Sequence, residues 1–114
     1  MDTRPGAPVS GLTGPFNASS PRRLQVAGQL GVPTGAEAAT GNLTVVNQTA
    51  AGYVSATLNS EVNPTTSVLN FPLGDIRANG VTLPLNTSGR SWFVYKAPPG
   101  KTTHLILDVS GYFR

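Results

Sequence analysis

The chain has 114 residues, enough for one domain around a single core. Only 11% of them are charged, against about a quarter in an average soluble domain. The net charge is +3 and cysteine is absent, which excludes disulfide staples and thiolate metal sites. Arg22-Arg23 is the one basic pair, too little to neutralise the phosphates of a nucleic acid, and no stretch nears the ~20 apolar residues of a membrane span. Nucleic-acid partners, membrane insertion, cofactors and metals are therefore not expected.

Residues 1–23, MDTRPGAPVSGLTGPFNASSPRR, hold four prolines and three glycines and no sustained periodicity. They predict an extended segment packed on the rest of the domain. From Leu24 the pattern turns to period two. In LQVAGQL, Leu24, Val26, Gly28 and Leu30 share one face, and GVPTGAEA follows as a turn cluster. ATGNLTVVN and YVSATLN alternate in the same way, NPTT turns the chain, and SVLNF is a short strand. PLGD precedes IRANGVTLPL, where Pro84 marks an edge or a strand end. NTSGR leads into SWFVYK, and APPGKTT into the closing strand HLILDVSGYFR.

Seven strand candidates joined by short turns, each with one apolar and one polar face, predict antiparallel sheets. The expected fold is an all-β antiparallel sandwich of seven to nine strands, Ig-like or jelly-roll-like, forming a single domain over residues 1–114. A small β-barrel is the alternative; nothing in the sequence speaks for strand closure.

The chemistry-bearing residues are few. His104 is the only histidine, so a Ser-His-Asp relay or a His-based metal site would need it. Its neighbour in pattern, Asp108, lies ~13 Å along the strand, too far to pair directly. The five acids, Asp2, Glu37, Glu61, Asp75 and Asp108, are scattered; a calcium site would have to lean on loop carbonyls near Asp75 or Glu61. Lys96 raises an isopeptide bond to an Asn or Asp, but its place at a strand end reads as solvated. The aromatic residues Trp92, Tyr53, Tyr112 and Tyr95 are candidates for stacking against a sugar ring. Trp92 shares a face with Val94 and Lys96 while Phe93 shares the other with Tyr95, so one of these faces is core.

In the closing strand, period two puts Leu105, Leu107, Val109, Gly111 and Phe113 on one face and His104, Ile106, Asp108, Ser110 and Tyr112 on the other. If the N-terminal segment crosses that second face, Asp108 needs donors. An Arg4–Asp108 clasp, or backbone N–H groups at Asp108, is expected to supply them.

The order DTRPG (2–6), VAGQLGVPTGAEAAT (26–40), NLTVVNQTAAGYVS (42–55), VLNFPLGDIRANGVTLPL (68–85) and THLILDVSGYF (103–113) resembles an accessory β-domain of secreted, actinobacterial-type proteins, of no established function. The resemblance covers nearly the whole chain. It implies an extracellular or cell-surface location and a β-sandwich, and it implies no catalytic motif. The chain lacks the apolar residues that precede DTR in that pattern, which implies an excised domain with its first strand cut.

The expected function is a non-catalytic extracellular module: a spacer, an adhesion unit, or an accessory domain binding cell envelope or glycan. Its partners would be cell-wall or environmental polysaccharide, or the neighbouring domains of a parent protein. Self-assembly through edge strands is the alternative. A small hydrolase, needing His104 and Asp108 to meet a Ser or Thr in a cleft, is the third reading.

Overall fold

The computed structural model describes residues 1–64, 69–74 and 76–114. Among them are eight strands and no helix: β1 (Phe16–Asn17), β2 (Arg22–Gln25), β3 (Ala38–Val46), β4 (Gly52–Thr57), β5 (Leu69–Phe71), β6 (Arg77–Pro84), β7 (Arg90–Lys96) and β8 (Thr102–Phe113). They form two antiparallel sheets of four, in the orders β1-β8-β3-β6 and β2-β7-β4-β5. The sheets do not close into a barrel; the fold is the expected sandwich. Asp75 and the opening of the SVLNF strand lie outside the described residues, and with them the Asp75 half of the calcium expectation.

Alternation explains the core. Leu43 and Val45 of β3, Val81 and Leu83 of β6, and Leu105 and Leu107 of β8 are buried on the first sheet. Leu24, Val54, Ala56, Leu69, Phe71, Phe93 and Tyr95 are buried on the second. One cluster joins both sets, so the apolar stripes read from the sequence meet face to face. Ser91 is the odd member of the second sheet. It pairs in register with Leu24, is fully buried, and its Oγ has no hydrogen-bond partner. A buried hydroxyl left unpaired costs more than its absence. Ser91→Ala should therefore stabilise the domain by about 1 kcal/mol, read as a rise of about 4 °C in Tm by circular dichroism.

The predicted strand over 24–30 stops at Gln25. The chain instead folds into a tight loop in which Gln29 N–H reaches Val26 O and Gly28 N–H reaches Val32 O. Gly28 and Gly31 take positive φ there, and so does Leu30. Val26, Ala27 and Val32 are still buried. The expected face is kept only at Leu24 and Val26; beyond them Gly28 is exposed and Ala27, from the face expected to be wet, is buried in the loop.

β8 carries a second departure. Gly41 of β3 pairs with Val109 while Thr40 pairs with Gly111, which leaves Ser110 as the extra residue of a bulge. Gly41 permits it, because a Cβ there would meet the Asp108 carbonyl. Beyond the bulge the faces exchange. Tyr112 comes opposite the fully buried Ala39, and Phe113, expected to continue the Leu105 stripe, turns to the other side.

The N-terminal segment runs along an edge rather than across a face. Met1 and Leu107 exchange backbone hydrogen bonds, Asp2 bridges Ile106, and Thr3 N–H donates to Leu105 O. Further on, the Arg22 guanidinium donates to the carbonyls of Thr13 (2.6 Å), Gly14 (3.0 Å) and Pro15 (3.3 Å) and sits 4.8 Å from the Phe16 ring centre. A guanidinium fork suits this set of carbonyls, which a Pro/Gly-rich segment leaves without a strand partner. Its role escaped the sequence reading.

Candidate functional site

The aromatic candidates divide. Tyr95 is fully buried, stacked on Phe71 with ring centres 5.8 Å apart, and its hydroxyl donates to Ala50 O at 2.9 Å. Desolvation pushes its phenol pKa up, opposed by that hydrogen bond. It is a core residue and is withdrawn as a sugar platform. Trp92 and Tyr53 do share the outer face of the second sheet. The pairings Thr57–Trp92 and Tyr53–Lys96 put them four positions apart, ~13 Å along the strands. That is too far for one ring to stack on both. Trp92 is half-buried, with the Arg23 guanidinium 5.9 Å from its ring centre. The Tyr53 hydroxyl donates to Pro64 O. Tyr112 is 47% exposed, but on the other sheet.

The polar candidates are bound into the architecture. Arg4 does not reach Asp108. Its Nε and Nη2 donate to both carboxylate oxygens of Asp2, the closest contact being 2.7 Å, and its backbone N–H donates to Asp2 Oδ1. The clasp therefore forms two residues away, where almost no chain entropy opposes it, and Asp108 is exposed. These bonds hold the Asp2 carboxyl down to about 2 from its ordinary 3.8. Because the folded value is lowered, the pair contributes above the ordinary carboxylate range and is lost as pH falls from about 4 toward about 2. In an NMR titration, Arg4→Ala should return the Asp2 midpoint toward 3.8.

Thr3 is buried and accepts the Leu105 N–H at 3.0 Å. The same hydroxyl is hydrogen-bonded to His104 Nδ1, also 3.0 Å away. His104 is half-buried and tied to the N-terminal segment. Lys96 Nζ donates to Ser19 Oγ at 2.7 Å and Asn63 Oδ1 at 3.1 Å. Among the described residues no three of His, Asp and Glu gather where they could hold a metal ion.

A different region is concave. At one end of the sandwich a cleft of about 570 Å³ opens between the β2 exit (Gln25, Ala27), the approach to β3 (Thr34–Glu37) and the β6–β7 turn (Leu85–Gly89). Its walls are fixed by two amides. Gln25 Nε2 donates to Ala27 O and Ser88 O, while its Oε1 accepts Arg90 Nε at 2.7 Å. Asn86 Oδ1 accepts the N–H groups of Ser88 and Arg90, and its Nδ2 donates to Leu58 O. Ala27, Ala36 and Leu85 are buried at the base. Thr34, Glu37, Thr87 and Ser88 stand exposed around it. None of these was singled out as a binding residue, because three turns far apart in sequence supply them. The one available signal was Asn86 in NTSGR, a residue type that closes turns through its own side chain.

Fold and site together define a small all-β sandwich with a cleft at one end and with His104, Arg4 and Lys96 engaged in its structure. No protein-family model, curated protein or solved structure matches the chain.

Proposed function

We propose that the chain is a non-catalytic extracellular module of a secreted bacterial protein, an accessory domain that binds cell-envelope or environmental polysaccharide. The observation that carries this reading is the commitment of its reactive groups to architecture. His104 is held by Thr3, Arg4 holds Asp2, and Lys96 is shared by Ser19 and Asn63. Asp108, the carboxylate that a hydrolase would need beside His104, is exposed and four residues along an extended strand from it. The resemblance of DTRPG through THLILDVSGYF to a secreted accessory domain supports the extracellular part.

Self-assembly through edges has less support. β1 and β2 span only two and four residues, β2 opens on Arg22 and Arg23, and β6 begins on Arg77 and ends on Pro84. Short, charged and proline-capped edges resist strand addition.

Pull-down on peptidoglycan, chitin, cellulose and starch tests the proposal. Retention on at least one polymer without its breakdown is expected. Failure on all four would reduce the module to a spacer. Hydrolysis of any of them, lost in a folded Asp108→Asn variant, would overturn the non-catalytic reading.

A further inference from the structure

We infer that the end cleft is the saccharide site and that it selects neutral, hydroxyl-rich rings, with Glu37 accepting from a vicinal diol. The inference rests on the glycan-binding reading above and locates it. The outer face around Trp92 was the sequence-based alternative, but its two aromatic rings cannot share one sugar and Trp92 lies beside Arg23.

The cleft has what the face lacks. Its volume of about 570 Å³ falls in the usual range of small-molecule sites. Its base of Ala27, Ala36 and Leu85 offers small apolar surface to the C–H face of a pyranose. Gln25 and Asn86 have spent their hydrogen bonds on the walls, so the shape exists before a ligand arrives and little ordering is charged to binding. The hydroxyls of Thr34, Thr87 and Ser88 and the carboxylate of Glu37 are the groups left for a ligand. A carboxylate accepts two O–H donors at once, and Ser and Thr can both donate and accept. That inventory matches a polyol.

Charge decides the class. Among the described residues, Glu37 is the only charged one lining the cleft. Arg90 is engaged through Nε by Gln25, and Arg114 rests on the Thr34 carbonyl at 3.4 Å. Neither guanidinium is among the residues lining the cleft, so a uronate or phosphate inside it would face the Glu37 carboxylate. With no aromatic side chain among the described residues of the lining, a Kd of about 1 mM is expected.

The test is a ¹H–¹⁵N titration of the whole chain with cellobiose, maltose and diacetylchitobiose, and with digalacturonate as the anionic probe. The expected result is that shifts from at least one neutral disaccharide cluster at Thr34–Glu37 and Thr87–Gly89. Digalacturonate should bind about tenfold more weakly or not at all, and Glu37→Gln should weaken the neutral ligand about tenfold. Thr87→Ala should also weaken it, and gives a second reading should Glu37→Gln misfold. Shifts centred on Trp92 and Tyr53 would overturn this site while leaving glycan binding intact. Equal or tighter binding of digalacturonate in the cleft would overturn the neutral class. No shift with any saccharide, alongside retention of the protein on a polymer, would overturn the cleft alone; without retention, both readings fall.

Discussion

Tyr95→Ala should destabilise the domain by about 4 kcal/mol, the cost of emptying an aromatic site in a packed core. For a chain of this length that is a fall of about 15 °C in Tm. The ring is fully buried between the sheets and stacked on Phe71, so truncation removes its contacts and leaves a hole the strands cannot close. Tyr95→Phe separates the two parts of the effect. It keeps the ring and strips Ala50 O of a 2.9 Å donor, for about 1 kcal/mol. Trp92→Ala is the control on the same strand. Trp92 faces outward and is only half-buried, so its loss should cost clearly less than that of Tyr95. Urea melts followed by circular dichroism would rank the three. Equal losses at Trp92 and Tyr95 would contradict the assignment of faces on β7.

The faces of β7 illustrate what was legible. Strict alternation in SWFVYK required one of the pairs Trp92/Val94 and Phe93/Tyr95 to be core, and Phe93 and Tyr95 do join the core cluster between the sheets, although Val94 on the other face is buried as well. Period two likewise placed Leu105 and Leu107 inward and Asp108 outward. It failed where a single residue changes the count. The bulge at Ser110 exchanges the faces of Tyr112 and Phe113; Gly111 in DVSGYF was its one local sign, and the close approach at Gly41 on the neighbouring strand was not visible from DVSGYF itself. In LQVAGQL the period held only for Leu24 and Val26: Gly28 and Gly31 let the chain turn, which exposes Gly28 and buries Ala27 from the face expected to be wet. The Arg4 clasp was expected across the sheet and formed locally instead. The reason is chain entropy: a partner two residues away needs no long loop closed to reach it. The cleft was illegible for the opposite reason, being assembled from three turns whose meeting depends on strand order.

Gly52→Ala should cost about 3 kcal/mol, whereas Gly80→Ala should be neutral or stabilising by about 0.5 kcal/mol. Both glycines lie in strands, both have ordinary φ, and the sequence does not tell them apart. Their surroundings do. A Cβ on Gly52 would collide with the Lys96 carbonyl oxygen and approach Tyr95 Cε1 to 3.3 Å. The first obstacle is backbone, so relief requires β4 and β7 to move apart where Tyr53 pairs with Lys96. That displacement loosens the strand ladder and the Phe71–Tyr95 stack behind it. A Cβ on Gly80 meets nothing within 4 Å, and alanine there restricts the unfolded chain at no cost to the folded one. Chemical denaturation gives the two energies. Hydrogen exchange gives the location: faster exchange in Gly52–Thr57 and Arg90–Lys96 for Gly52→Ala, with β3 and β8 unchanged beyond the global loss. Exchange that accelerates evenly over both sheets would mean that the two halves of the sandwich share one cooperative unit, and that the close approach at Gly52 is set by the whole core rather than by its own pair of strands.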